Sequence, residues 1–173
     1  GPLPAPAAGQ PDRPPLSAEQ VRTAIRQGRQ YLLKELHKTR NEMGNRAGGV
    51  TALCTLALLN AGVPATNPKI QQALQFLRTL PPEHTYVVAL QTMVFATAEP
   101  ARDLALIQRN VHWIEQTQLK EGDLAGSWSY PNPAGGRSSD NSNSQFAVLA
   151  LHEAERAGAQ VDLETWQRAA AYW

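Results

Sequence analysis

The residues best equipped for chemistry lie between positions 126 and 145, in GSWSYPNPAGGRSSDNSNSQ. Trp128 and Tyr130 offer aromatic faces, while Asp140, Asn141, Asn143 and Gln145 offer hydrogen-bonding groups just ahead of an apolar helical segment. Aromatic surface beside carboxylate and amide groups is what a carbohydrate or peptide site uses, because stacking and directed hydrogen bonds then act together. Long connections of this kind often carry binding residues. The same residue types also have a plainer use. Asp, Asn and Ser cap helix N-termini by accepting from free backbone N–H groups, and turns require such residues in any case. The plainer use has the stronger claim.

Elsewhere the catalytic spacings are missing. The four histidines, His37, His84, His112 and His152, never stand in a His-Glu-x-x-His pattern. His112 falls on the polar face of its helix. Glu153 and Glu155 are two residues apart and do not share a helical face. No Gly-x-Ser-x-Gly elbow and no phosphate-cradling glycine loop occurs in the sequence. The single cysteine, Cys54, allows no internal disulfide and no multi-cysteine zinc site. Its apolar surroundings suit a small buried hydrophobe. The sequence therefore assigns no catalytic residue, no metal site and no cofactor.

The elements that must position these residues announce themselves by repetition. One octet is written four times: IRQGRQYL at 25–32, IQQALQFL at 70–77, IQRNVHWI at 107–114 and WQRAAAYW at 166–173. In the second copy Ile70, Ala73, Leu74 and Leu77 follow the i, i+3, i+4, i+7 stripe of a helix, and Gln71, Gln72 and Gln75 take the opposite side. Between the octets lie segments apolar almost all round, GVTALCTLALLNA at 49–61 and the stretch 84–98. A helix with no polar face must be buried on most of its circumference. The sequence thus predicts seven helices: at about 17–39 and 49–61, one starting at Pro68 and carrying the octet 70–77, at about 84–98, 100–118 and 143–157, and one from the Asp162 cap to the end. Octet helices form an outer layer and apolar helices an inner one. Ser17 with Gln20 has the spacing of a capping box, Asn67-Pro68 and Asp162 mark two further starts, and Gly62 and Gly158 mark stops. Successive octets begin 45, 37 and 59 residues apart, so insertions sit in the connections, longest at 119–142.

Composition bounds the partners. Sixteen basic and fifteen acidic residues nearly cancel, which argues against a nucleic-acid binder that works by neutralising phosphates. Arg22, Arg26 and Arg29 read as a solvated helix face. No apolar run reaches the roughly 20 residues of a membrane-spanning helix. Residues 1–16 are rich in Pro and Ala without hydrophobic period and read as a disordered leader, with Gly1-Pro2 as the scar of a cleaved tag. Such a tether before a domain at 17–173 suits an exported or periplasmic protein, if a signal peptide preceded it.

Residues 110–151 carry a resemblance. NVHWIEQTQLKEGDLAGSWSY, followed by the helix SQFAVLALHEAERAG, resembles the prenyltransferase and squalene-cyclase repeat. Trp113-Ile114 matches its aromatic-apolar pair, Gln118 its glutamine, and Gly126-Ser127-Trp128 its turn. The turn match covers about 107–158 and the helix pattern about 17–173. The resemblance implies an all-α fold, an α/α toroid of alternating outer and inner helices, of which this chain supplies a partial ring of about seven. It implies chemistry only where the family's motifs persist. The Asp-rich acid run is absent, Asp140 and Asp162 standing alone, and the Asp-x-Cys zinc pair is met only by Asp140-Asn141-Ser142, with Ser in place of the thiolate. The Gly-Cys-Gly-Glu-Gln segment of the thioester-bearing relatives is absent too. Cys54 and His152, on separate inner helices, do not make up a zinc shell.

The expectation is a non-catalytic toroid-type scaffold or binding module of a larger protein, partnered by a second copy that completes the ring or by the remainder of a longer chain. Two other functions compete: a fragment of a terpenoid cyclase or prenyltransferase acting on an isoprenoid, and a carbohydrate or peptide binder using Trp128 and Tyr130.

Overall fold

Helix starts follow from local chemistry. Ser17 Oγ accepts from the Gln20 N–H while Gln20 Oε1 accepts from the Ser17 N–H, a complete capping box opening α1 (Ala18–Glu35). Asn67 caps α3 (Pro68–Arg78), whose first residue is a proline needing no N–H partner, and Asp162 caps α7 (Leu163–Tyr172). Gly62 and Gly158 adopt positive φ just after α2 (Gly49–Asn60) and α6 (Asn141–Arg156), the left-handed stop that glycine allows. With α4 (Thr85–Ala98) and α5 (Pro100–Thr117) these make seven helices among the described residues, and no strand occurs there. The computed structural model describes residues 16–41, 48–130 and 139–173. Positions 1–15 of the leader, 42–47 of the polar connection and 131–138 of the long connection lie outside the described residues.

Two boundaries differ from the expected ones. Regular α-helix ends at Glu35 rather than near position 39, and the chain tightens into a 3₁₀ turn, Leu36–Asn41. There Thr39 Oγ1 donates to the Leu36 carbonyl and meets Thr51 Oγ1 of α2, which fastens the turn to the next helix. Helix α6 begins at Asn141, two residues early, because Asp140 takes the cap position and its Oδ1 accepts from the Asn143 N–H.

Helices α2, α4 and α6 lie side by side with α4 in the middle. All three run in one direction. Gly49 at the start of α2 lies against Val87 near the start of α4. The Tyr86 and Phe146 rings, near the starts of α4 and α6, meet edge to face with centroids 4.6 Å apart. The octet helices form the second layer, also in one direction. Gln71 and Arg78 of α3 reach Glu99 and Asp103 at the start of α5, and Arg109 reaches the Leu80 carbonyl at the far end. Gln108 and Glu115 of α5 likewise hold the backbone of Gln160 and Asp162 before α7, and Arg168 of α7 reaches back to Gln118.

A rule connects these contacts to the octet. Its second residue, Gln71 or Gln108, reaches forward to the lead-in of the next outer helix. Its third, Arg109 or Arg168, reaches back to the end of the previous one. The Gln and Arg that make the octet polar on one side are thus lateral fasteners.

Burial follows position in the array. Helix α4, with neighbours on both flanks and α5 behind it, buries every residue from Val87 to Phe95. Helix α2 does not meet the expectation of burial on most of its circumference. It has α4 on one flank only, and Val50 and Leu53 face outward. Amphipathic α1 buries no residue fully, although Leu32 and Leu33 pack on the core.

The strongest tie between α3 and α5 is ionic. Arg78 grips the buried Asp103 with two hydrogen bonds of 2.8 Å and also pairs with Glu99. The Gln71 amide, and then Arg78, hold the Glu99 carboxyl below its ordinary pKa. Removing the cation would leave the Asp103 charge buried without compensation. Arg78→Ala should therefore cost about 3–5 kcal/mol in urea unfolding, whereas Arg102→Ala, whose ion pair with Glu99 is exposed, should cost no more than about 1 kcal/mol.

Candidate functional site

The bend after α5 is built around Gln118. Its Nε2 donates to the carbonyls of Gly126 and Thr165 at 3.2 and 3.1 Å, and its Oε1 accepts from Arg168 Nε at 2.9 Å. One amide thereby joins α5, the bend and α7. The chain folds back on itself between Leu119 and Ser127 through backbone hydrogen bonds, Leu119 N–H to the Ser127 carbonyl and Gly126 N–H to the Leu119 carbonyl. Gly126 sits at φ +93°, and a Cβ there would lie 1.9 Å from the Arg168 carbonyl oxygen. Only glycine lets the bend come this close to α7.

Trp128 follows at once and enters the core. It is fully buried, its Nε1 donates to the Ile114 carbonyl at 2.8 Å, and its backbone N–H donates to Ser144 Oγ at 2.9 Å. Its carbonyl accepts from the Asp140 N–H at 3.0 Å. Trp128 thus ties the end of α5, through its indole N–H, to the start of α6, through its backbone, and no ring face is open to solvent. The aromatic surface at this bend belongs to Tyr130, which is 52% exposed.

The polar residues of the stretch divide among different tasks. Asp140 caps α6, and hydrogen bonds from the Ser142 hydroxyl and then the Asn143 N–H hold its carboxyl below the ordinary aspartate range. Asn141 Oδ1 accepts from the Tyr172 hydroxyl, which also meets Ser139 Oγ. Asn143 is fully buried, and neither atom of its amide meets a hydrogen-bond partner. Gln145 is exposed on the next turn. Tyr130, Asn141 and Gln145 are therefore the side chains of the set exposed to solvent, Asp140 is half-buried, and Trp128 and Asn143 lie inside.

Tyr172 is the participant that the sequence reading passed over. It is the octet's aromatic in α7, and its hydroxyl crosses to the start of α6. Position seven of the octet, held elsewhere by Tyr31, Phe76 and Trp113, was the available signal. Among the described residues no three His, Cys, Asp or Glu side chains gather as a metal would need. His112 is exposed and bonded to Gln116, His152 is exposed, and Cys54 is half-buried. No helix among the described residues is long and apolar enough to cross a membrane. No family model, no curated protein and no solved structure matches the chain.

Two expectations follow. Trp128→Ala should lower stability by about 3–5 kcal/mol in thermal or urea unfolding, since it empties a large core site, while Tyr130→Ala should stay within about 0.5 kcal/mol. The second concerns pH. A carboxyl with a lowered folded pKa contributes stability that is present above its unfolded pKa of about 3.9 and lost as pH falls through the folded value. Wild type should accordingly melt above Asp140→Asn at neutral pH, because the anion also favours the helix N-terminus, and the two melting curves should converge on acidification below that range.

Proposed function

We propose that this chain is a non-catalytic segment of an α/α toroid, a scaffold or binding module partnered by a second copy of itself or by the rest of a longer chain. The observation that supports the reading is the lateral register of the octet helices. Gln at the second position fastens forward and Arg at the third fastens back, at two successive junctions. An array that adds each hairpin by the same contacts has no internal reason to stop, and four octet helices backed by three inner ones favour curvature toward the inner side.

The segment that carries the family resemblance serves this architecture. Gln118, Gly126 and Trp128 spend their polar atoms on backbone groups of α5, α7 and the bend, on the Ser144 hydroxyl of α6 and on the Arg168 guanidinium of α7. Asp140, at the place of the family's zinc aspartate, is engaged as a helix cap.

The test is a turnover assay. The protein is incubated with an allylic isoprenoid diphosphate, and separately with a linear isoprenoid polyene, each with magnesium or zinc supplied. Products are read by mass spectrometry. No conversion above heat-treated protein is expected, and sustained conversion of either substrate overturns the non-catalytic reading.

A further inference from the structure

We propose that the cleft between the 3₁₀ turn Leu36–Asn41 and the start of α3 binds a short aliphatic carboxylate. The inference goes beyond the scaffold reading and does not depend on how far the helix array extends.

The first support is a departure from the rule of the octet. Its third residue is Arg109 in α5 and Arg168 in α7, and each reaches back to the end of the preceding outer helix. In α3 the same position holds Gln72. Gln72 lies beside the chain just after α1, as the rule requires, yet its shorter side chain is exposed and makes no hydrogen bond among the described residues. A cleft of about 90 Å³ stays open there, lined by Gln72 together with Leu36, His37, Lys69 and Ala73. At roughly 10–15 Å³ for each water-sized group, that is room for about six to nine heavy atoms.

The second support is the chemistry of the lining. Leu36 and Ala73 are buried and give the cleft an apolar floor. Lys69 Nζ donates to the Leu33 carbonyl at 2.7 Å, and His37 Nδ1 donates to the Lys34 carbonyl at 3.0 Å, so these two carbonyls at the end of α1 are already taken. An ammonium carries three N–H donors, so Lys69 keeps two unspent, and the Gln72 amide keeps its full capacity. Among the described residues no Asp or Glu lines the cleft, and no ion pair engages Lys69. Glu35, the acid nearest to His37 in the chain, is paired with Lys38. The start of α3 adds the positive end of its dipole.

An apolar floor beside unspent donors and an uncompensated cation matches an anion with a hydrocarbon stem. The carboxylate takes charge-assisted hydrogen bonds from Lys69 and a further one from the Gln72 amide, while the stem lies on Leu36 and Ala73. An acid of the size of butyrate fits the volume.

The test is a titration of the whole chain with butyrate, followed by amide NMR. Saturable shifts centred on the five lining residues are expected. Butyramide, of the same shape without the charge, should bind at least tenfold more weakly, and so should inorganic phosphate, which has charge without the stem. Lys69→Gln should weaken butyrate binding at least tenfold, while Lys69→Arg retains it. Gln72→Arg writes in the residue of the other two joints. Its guanidinium should enter the cleft and abolish butyrate binding, although the variant carries an added positive charge, with melting at or above that of wild type. Gln72→Glu, which sets a carboxylate beside Lys69, is the second variant and should lose binding too.

The absence of saturable shifts overturns the proposal, as do saturable shifts centred on another face. So does butyramide or phosphate that binds as well as butyrate. Undiminished binding by a folded Gln72→Arg variant also overturns it, being the mark of surface charge alone.

Discussion

The constraint on which the structure depends is the need of α4 to be dry all round. Its run from Val87 to Phe95 has no polar face to turn to water, and each buried aliphatic or aromatic side chain gains about 1.5–3 kcal/mol by leaving solvent. One neighbour covers only one side of such a helix. The chain supplies three: α2 and α6 on the flanks and α5 behind. Placing α4 centrally fixes the inner layer, and the short connections then oblige the octet helices to lie in a second layer. Of the polar residues in this run, the Thr92 hydroxyl is buried and donates to the Val88 carbonyl one turn back, whereas the Gln91 amide is buried without a hydrogen-bond partner.

The outer layer solves a different problem. Its helices share few deep apolar contacts with one another, so their relative placement is set by polar fasteners along their edges. Arg78 with Asp103 and Glu99, and Gln118 with Arg168, occupy matching joints between successive outer helices. Charge-assisted and bidentate hydrogen bonds are directional in a way that apolar packing is not. They hold the helices in register, while the inner layer provides most of the hydrophobic stabilisation. Helix α1, by contrast, is weakly buried. It has the octet pattern, but its stripe holds Gly28 and Arg29 where α3 has Ala73 and Leu74, and Val21 and Ile25 remain in water.

The bend after α5 shows how one residue type serves opposite ends. An indole in a turn among Ser, Asn and Asp has the composition of a binding site, yet Trp128 places its full surface in the core and its N–H on a carbonyl of α5. The neighbouring Gly126 makes this possible by letting the backbone press on α7. Tyr130, two residues further, emerges into solvent. A step of two residues in an irregular segment carries no periodic signal of inside and outside, so sequence alone does not separate these two aromatics.

By itself the sequence determined the helices and their order. The octet's stripe, the apolar segments, Ser17 with Gln20, Asn67-Pro68, Asp162 and the stop glycines are local signals whose physics acts within one or two turns of chain, and the observed boundaries follow them to within a few residues. The all-apolar stretch at 84–98 also foretold the burial of α4, since burial of a whole circumference requires neighbours on every side, whereas the equally apolar α2 leaves Val50 and Leu53 in water. Tertiary structure decided what depends on groups far apart in the chain. It set the partners of Gln71, Gln108, Arg109 and Arg168, the burial of Trp128 and the exposure of Tyr130. It also set the crossing of Tyr172 to Asn141 and the uncovered faces of α1, α2, α6 and α7. A glutamine reads the same whether it meets water or a carbonyl 52 residues away, as Gln108 does. Only the packed layers bring that carbonyl within reach.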